Sequence, residues 1–305
     1  MTRVLISGAS GMVGSALSAD LEKKGAEVFH LVRNANPAHH QIGIDLKRQR
    51  LVGVDPNQVF DCFFHLGGAG IADRRWTARR KKEIVDSRVQ TLNIIHQELV
   101  NQRIQIKQLV SASGINFYPN TQTQVYTEAD APGASFLAQV CVQWENAAMQ
   151  FAPHMPVSCL RTGVVLSLSG GALPKLDRPI RWGLGAALGS GRQPMPWIAL
   201  SDLVALYEFA FQHRCHGAIN AVAPEQVTHM QLIQTAAKLL KKPLWLPHVP
   251  AWLLKLALGE MSEMLLEGTQ ASAQLALSLG FRFQHEKLEN ALAELYATTG
   301  APSTH

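Results

Sequence analysis

Three glycines spaced three apart, Gly8, Gly11 and Gly14, lie in Ser7-Gly8-Ala9-Ser10-Gly11-Met12-Val13-Gly14, between an apolar run at residues 4–7 and a helical pattern that begins at Met12. A backbone without Cβ atoms turns tightly and comes close to a pyrophosphate. The third glycine lets the helix pack on the strand, and the helix start adds amide donors and positive potential. The chemistry this predicts is dinucleotide binding, with Gly8, Ser10, Gly11, Met12, Val13 and Gly14 as the cradle. A plain glycine turn is the alternative, and the strand–turn–helix setting argues against it.

The second apolar run bears on which dinucleotide. A carboxylate about twenty residues further on holds the ribose hydroxyls in an NAD site. Here the chain reads His30-Leu31-Val32-Arg33-Asn34. Arg33 can pair with a 2′-phosphate, which favours NADP over NAD; a surface arginine in a loop is the alternative. Asp45 closes a third run, where it could reach the adenine. In His65-Leu66-Gly67-Gly68-Ala69-Gly70, the residues Leu66, Gly67 and Gly68 leave room for the ribose and nicotinamide. Both spots could equally be turn chemistry.

A regular alternation of two hydrophobic periods must position these groups. The helical pattern over 12–24 stops at Gly25, and apolar runs follow at 27–32, 41–45 and 59–65. A long helical pattern covers 80–101, then come a strand at 105–111, a helix at 135–151 and a strand at 157–162. Such alternation predicts a parallel sheet covered on both faces, doubly wound by right-handed crossovers. After Gly163 the rhythm changes. Residues 167–192 are rich in Gly, Leu and Pro and read as loop and short elements, and helical patterns return at 202–212, 229–240, 251–267 and 287–297. The expected fold class is α/β: a doubly wound parallel-sheet Rossmann fold with a smaller, mainly helical C-terminal substrate region. Residues 1–165 would form the cofactor domain, with 196–225 returning to it. Residues 166–195 and 226–298 would form the substrate region, and 299–305 a frayed tail.

Composition narrows the function classes. The net charge of +5 and pI near 9.1 permit an anionic ligand. The one dense basic run, Arg74 to Lys82, is followed at once by Glu83 and Asp86, so it reads as a solvated helix face, not a nucleic-acid groove. Cys62 and Cys159 sit in apolar runs and, with Cys141 and Cys215, suggest reduced thiols of a cytoplasmic protein. His213, Cys215 and His216 have no second ligand cluster, so no metal is expected. An apolar strand beginning at Arg3 leaves no room for a signal peptide, and no run of about eighteen apolar residues suggests a membrane span. The expected partner is a small-molecule substrate, with neither nucleic acid nor membrane.

Taken together, Gly8-Ala9-Ser10-Gly11-Met12-Val13-Gly14, His65-Leu66-Gly67-Gly68 and Ser111-Ala112-Ser113 resemble the extended short-chain dehydrogenase/reductases, which include the nucleotide-sugar epimerases. A narrower likeness runs through Ile71-Ala72-Asp73-Arg74-Arg75-Trp76-Thr77, Asp86-Ser87-Arg88-Val89 and Phe136-Leu137-Ala138-Gln139-Val140-Cys141 with Trp144-Glu145. Leu160-Arg161-Thr162-Gly163, Leu188-Gly189-Ser190-Gly191-Arg192-Gln193, Leu258-Gly259-Glu260-Met261 and Gly280-Phe281-Arg282-Phe283 extend it over nearly the whole chain. These segments are similar to an atypical subgroup labelled "epimerase family protein", which carries an extra C-terminal helical region. The resemblance implies NADP on a Rossmann domain and a smaller substrate domain. Members are often homodimers, though nothing in these residues fixes an oligomeric state.

The resemblance also implies a Tyr-x-x-x-Lys pair for proton transfer. None of the four tyrosines, Tyr118, Tyr126, Tyr207 and Tyr296, has a lysine four residues on. Counted back from Glu145, the two positions hold Leu137 and Cys141. Ser113 stands at the place of the family serine, and Tyr118, shortly after it, could be a substitute acid or an aromatic packing group. The subgroup's Trp-Ile-His segment reads Trp197-Ile198-Ala199 here, without the histidine. Arg75, Trp76, Arg192 and Trp197 are candidates to line a substrate pocket, with the two arginines as anion holders, or else they belong to ordinary packing. Two readings stay open: an oxidoreductase or epimerase-type enzyme on a small polar, anionic metabolite, and a non-catalytic NADP(H)-binding redox sensor.

Overall fold

A computed structural model describes residues 1–33, 37–121 and 123–300, with side chains up to residue 297. Asn34 and residues 301–305 of the expected tail lie outside the described residues. In chain order the elements are β1 (Arg3–Ser7), α1 (Met12–Lys23), β2 (Glu27–Val32), β3 (Gln41–Asp45), β4 (Arg50–Val52), β5 (Val59–Phe60), β6 (Cys62–His65), α2 (Ala78–Val100), β7 (Gln105–Ile106) and β8 (Leu109–Gly114). Then come β9 (Val125–Tyr126), α3 (Phe136–Met149), β10 (Val157–Thr162), β11 (Val164–Leu166), α4 (Leu173–Arg181), β12 (Trp197–Ala199), α5 (Leu200–Gln212) and β13 (Gly217–Ala221). The chain finishes with α6 (His229–Leu239), α7 (Ala251–Leu258), α8 (Glu263–Leu266), β14 (Gln270–Ala271), α9 (Gln274–Ser278) and α10 (Leu288–Gly300).

One compact unit comprises Met1–Phe117, Ala134–Arg161 and Val204–Ile219. Its sheet runs β13-β10-β8-β6-β1-β2-β3-β4. The neighbours from β8 through β6, β1 and β2 to β3 pair in parallel, and β4 adds an antiparallel edge. This is the expected mainly parallel, doubly wound sheet, and its strand order reverses at β1. Val4, Leu5 and Ile6 are fully buried in succession, as a strand covered on both faces requires. Leu17 and Leu21 of α1 and Ile84, Leu92 and Ile95 of α2 also face the interior. Thr77 and Ser135 cap α2 and α3 by accepting amides from Arg80 and Ala138, both at 3.2 Å. Leu5, Phe63, Leu92, Leu109 and Phe151 anchor one continuous core, each fully buried side chain contributing about 2 kcal/mol. Phe63→Ala would remove about 3–5 kcal/mol.

Two expected strands split, for one reason. β5 and β7 pair only with each other, while β6 and β8 join the main sheet. Between β5 and β6, Asp61 accepts the Arg3 amide at 2.9 Å and the Lys107 ammonium at 2.8 Å.

A second unit comprises Tyr118–Gly133, Thr162–Leu203 and Asn220–His305. It holds two small ladders, β11–β12 and β9–β14, among helices. Its core gathers Trp197, Leu173, Ile180, Leu232 and Leu292. Thr228 and Gln231 form a reciprocal capping box on α6. The carboxylate of Asp202 accepts the amides of Gln284 and His285 at 2.7 and 3.0 Å. Two details depart from the sequence reading. Residues 173–181 form a helix inside the expected loop, with Pro174 in the first turn, where its missing amide costs nothing. The expected helix over 251–267 breaks at Gly259, whose φ of +61° suits glycine, into α7, a short turn and α8. Among the described residues, no helix is long and apolar enough to cross a membrane.

Candidate functional site

Parallel pairing puts the carboxyl ends of β3, β2, β1, β6 and β8 along one edge of the first unit. The strands are about 4.8 Å apart, so this row spans about 19 Å. In that order the edge carries Asp45, Arg33, the Gly8–Gly14 turn, Leu66–Gly68 and Ser113. Residues far apart in sequence are thus aligned at a topological switch point, where open α/β sheets bind elongated ligands.

The turn itself is built for close approach. Gly8 has φ +74°, and a Cβ there would meet Gly67 N and the Leu66 carbonyl at 2.8 Å. A Cβ on Gly14 would stand 2.2 Å from Gly8 O. The loops after β1 and β6 therefore touch backbone to backbone, and α1 rests directly on the turn. Gly11 gives α1 no side-chain cap, and Ser15 is the first residue of this stretch whose amide reaches a helical carbonyl, Gly11 O at 2.8 Å. The amides of Met12, Val13 and Gly14 have no backbone acceptor among the described residues. This donor set fits a pyrophosphate.

His65 ties the two strands together. Its Nε2 lies 3.0 Å from the Arg88 carbonyl, which can only accept, so Nε2 carries the proton. Nδ1 then accepts from Ser7 Oγ at 2.7 Å, and the same hydroxyl accepts the Gly67 amide at 3.3 Å. Burial pushes the imidazole down to about 4, so it stays neutral.

Two buried arginines stabilise the loop after β6. The guanidinium of Arg88 donates to the carbonyls of Ala69 (3.1 Å) and Ile84 (2.9 Å) and lies 5.0 Å from the Trp144 ring. A Cβ on Gly68 would come within 2.9 Å of its Cζ. Among the described residues no carboxylate pairs with Arg88, and burial lowers its pKa. An uncompensated positive charge therefore lies under Gly68. Arg80 donates to Gly70 O at 2.5 Å and pairs with Asp73 and Glu83. This corrects the reading of residues 74–82 as a wholly solvated face: Arg80 is only 8% exposed. Arg80, Ile84, Arg88 and Leu92 recur at helical spacing, a periodicity that could have shown both arginines facing inward.

Arg33 follows β2, is exposed, and has no ion-pair or hydrogen-bond partner among the described residues. Asp45 Oδ1 accepts the amides of Lys47 and Arg48 at 3.0 and 3.1 Å, bonds that lower its pKa. Ser113 Oγ donates to Glu145 Oε1 at 2.6 Å, and Arg161 clamps that carboxylate with contacts of 2.9 and 2.8 Å. Arg161 also lies 3.5 Å from the centre of the Phe117 ring. Neither Glu145 nor Arg161 was singled out for this role in the sequence. Leu137 and Cys141, at the two pair positions, are buried. Desolvation, with Glu145 adding to it, pushes the Cys141 thiol up to about 11.

The remaining candidates divide. Tyr118 is fully buried, donates to Asn220 Oδ1 at 2.7 Å and stacks on Tyr126 at 5.2 Å, so it has a packing role and no open face. Trp197, expected to line a pocket, is likewise fully buried, and its Nε1 donates to Glu225 O at 3.1 Å. Its place in the second unit's core overrides the pocket reading. Trp76 is half-buried, donates to Ile71 O at 2.9 Å and meets the Phe136 ring edge-on at 5.0 Å. Arg75 and Arg192 are exposed.

Comparison with known proteins gives concordant matches. The model of the NAD dependent epimerase/dehydratase family matches residues 4–222, and that of a domain of unknown function, DUF1731, matches residues 249–295. Epimerase family protein Mb2239 of Mycobacterium bovis is 35% identical over 305 residues, 97% of each chain. Epimerase family protein SDR39U1 of Homo sapiens is 31% identical, over 97% of this chain and all of the relative. The crystal structure of the human SDR39U1 protein (isoform 2) with NADPH superposes with a TM-score of 0.88 at 29% identity, covering 97% of this chain and 99% of that one.

Proposed function

The chain belongs to the NAD dependent epimerase/dehydratase family, and from that premise we propose that it is an NADP(H)-binding enzyme of the oxidoreductase or epimerase type, acting on a small polar, anionic metabolite without a Tyr-x-x-x-Lys pair. The observation that carries this reading is the side-chain-free seam between Gly8 and Leu66–Gly67, opening onto the uncapped start of α1. The likeness to a protein solved with NADPH supports the choice of cofactor, as does Arg33 at the position where NAD sites place a carboxylate.

When bound, NADP(H) supplies hydride transfer at its nicotinamide ring. In this reading the amides of Met12, Val13 and Gly14 hold the pyrophosphate, and Ser10 lies beside it. Arg33 pairs with the 2′-phosphate. Asp45 lies at the adenine end, and Leu66, Gly67 and Gly68 form the floor under ribose and nicotinamide. The buried charge of Arg88 favours an anion over that floor. Ser113, whose proton is committed to Glu145, is left to accept a substrate hydroxyl and orient it. Arg75 and Arg192 are the candidate anion holders, with Trp76 beside Arg75. We assign the first unit to the cofactor and the second to the substrate; of the segments expected with the cofactor, 1–165 and 196–225, residues 118–133, 162–165, 196–203 and 220–225 fall in the second unit.

The test is to incubate the protein with NADPH deuterated at nicotinamide carbon 4 in a metabolite extract and search for label by mass spectrometry. Deuterium in a metabolite would establish the oxidoreductase and identify its substrate. A parallel search for stereochemical inversion of candidate sugars covers an epimerase that returns its hydride. Tight NADPH binding with neither outcome would favour the redox-sensor reading. Two observations favour that second reading: Tyr118 is committed to Asn220, and Cys141 is a buried, protonated thiol.

A further inference from the structure

The chain's positive charge is concentrated. Residues 173–192 hold Lys175, Arg178, Arg181 and Arg192 against the single acid Asp177, and residues 241–256 hold Lys241, Lys242 and Lys255 with no acid. Their combined excess of six exceeds the +5 of the whole chain, so the rest is close to neutral. These segments adjoin within the second unit. Trp245 Nε1 donates to Gly183 O at 3.0 Å, Gly189 N to Val249 O at 2.9 Å, and Val249 N to Ala187 O at 2.8 Å. Of the cations, Arg181 is engaged by Asp177. Lys175, Arg178, Lys241, Lys242 and Lys255 are exposed and have no carboxylate partner among the described residues. Glu260 and Glu263 come only beyond the break at Gly259.

The same two segments carry an unusual share of exposed apolar surface. Trp182, Trp245 and Trp252 are 74%, 67% and 67% exposed, half of the six tryptophans in the chain. Leu184, Leu253 and Leu256 are exposed with them. Helix α7, Ala-Trp-Leu-Leu-Lys-Leu-Ala-Leu, has no fully buried residue at all. An apolar helix normally sits in a core or in a lipid environment. Lys175, Arg178, Trp182 and Leu184 also line an open hollow of about 700 Å³.

We propose that this face, α7 with the Trp182–Leu184 and Lys241–Trp245 segments, docks peripherally on an anionic lipid bilayer. Tryptophans favour the headgroup level, leucines reach the acyl boundary, and lysines near the surface gain from anionic lipid. Charge argues against a second copy of the chain as occupant, since a twofold contact would set one excess of six against another. The apolar side chains of α7 spread around most of its circumference, which suits immersion better than a protein groove that takes one stripe. The sequence reading excluded a spanning helix and expected no membrane partner. Peripheral docking needs no spanning helix and does not depend on the enzymatic reading.

The full chain would be floated with vesicles of phosphatidylcholine alone and with vesicles holding a third phosphatidylglycerol, at 0.1 and 1 M salt. Binding is expected only to the anionic vesicles at low salt, with a blue shift of tryptophan emission. Lys241→Gln/Lys242→Gln should weaken it about 25-fold, about fivefold for each lysine lost. Trp252→Ser/Leu256→Ser should weaken binding and reduce the blue shift, the remainder coming from Trp182 and Trp245. These positions are exposed, so melting temperature and NADPH binding should hold in both variants. The proposal is overturned by absence of binding to anionic vesicles, by equal binding to neutral ones, or by variants that bind like the parent chain. A dimer abolished by Trp252→Ser/Leu256→Ser, or capture of an acidic protein in place of vesicles, would also overturn it.

Discussion

Replacing Arg33 with alanine tests the cofactor assignment at a point where little else changes. The side chain is exposed and has no partner among the described residues, so its loss should leave the melting temperature within about 1 °C, as expected for a surface substitution. Two unit charges 4 Å apart attract by about 1 kcal/mol in bulk water and about 4 kcal/mol at an effective dielectric near 20. An exposed arginine sits near the weaker limit, and a 2′-phosphate carries close to two charges, so about 1–2 kcal/mol is at stake. That predicts NADPH binding weakened about 5- to 30-fold. NADH binding, which has no phosphate to lose, should change less than about twofold. Fluorescence titration of both nucleotides against both proteins reads the ratio directly. Raising salt from about 0.1 to 1 M shortens the screening length from about 10 to 3 Å and should erode the parent chain's preference for NADPH more than the variant's. Equal losses for both nucleotides, or none for either, would refute the assignment of Arg33 to the phosphate.

Three further outcomes follow from the geometry. Gly14→Ala sets a methyl group 2.2 Å from Gly8 O, so α1 must shift off the turn; NADPH binding should fall at least tenfold while the fold survives at a lower melting temperature. Between pH 6.5 and 4 stability should drop as pH falls, because an unfolded histidine takes up a proton near 6.5 while His65 resists until about 4. Below pH 4 this contribution is fully lost, and it amounts to about 3 kcal/mol. His229, lowered to about 4 by burial, adds in the same direction. Urea titrations at stepped pH should show a shallower acid slope in His65→Gln than in the parent chain, and an unchanged slope would exclude His65 as a source. Tyr118→Phe strips the donor from buried Asn220 Oδ1 and should cost about 1–2 kcal/mol. It should spare any hydride transfer, whereas a loss of turnover at full NADPH occupancy would restore Tyr118 as the proton donor.

The fold was readable because its cues are local. β1 is an unbroken apolar run, α1 and α2 keep helical spacing, and Gly25 stops α1 at φ +84°, so the alternation that builds a doubly wound sheet is written residue by residue. The splits β5/β6 and β7/β8 were not readable. They depend on which strand each dipeptide pairs with, a long-range choice that periodicity does not encode. The nine-residue α4 was hidden by its prolines and by a glycine-rich context, although Pro174 sits in a helical first turn. Trp197 shows the opposite failure. A tryptophan beside a Gly-Ser-Gly-Arg loop suggests a pocket wall, yet tertiary packing places it at the centre of a core.

The candidate site shows the same division at the level of chemistry. Backbone requirements could be read, since only glycine satisfies the contacts of Gly8 and Gly14 and the sequence displays them directly. The Tyr-x-x-x-Lys pair was seen only as an absence, and the cluster around Ser113 could not be read, because its contacts join residues 32 and 16 positions apart. Ser113, Glu145 and Arg161 come from β8, α3 and β10 and meet only once those strands are neighbours. Their geometry constrains any mechanism. Arg161 holds Glu145 by both oxygens, and Oε1 also accepts from Ser113. With its proton given to Glu145, Ser113 is left to accept and not to donate, so in the proposed reaction it orients a substrate hydroxyl, and the proton must leave in oxidation, or return in reduction, through another group.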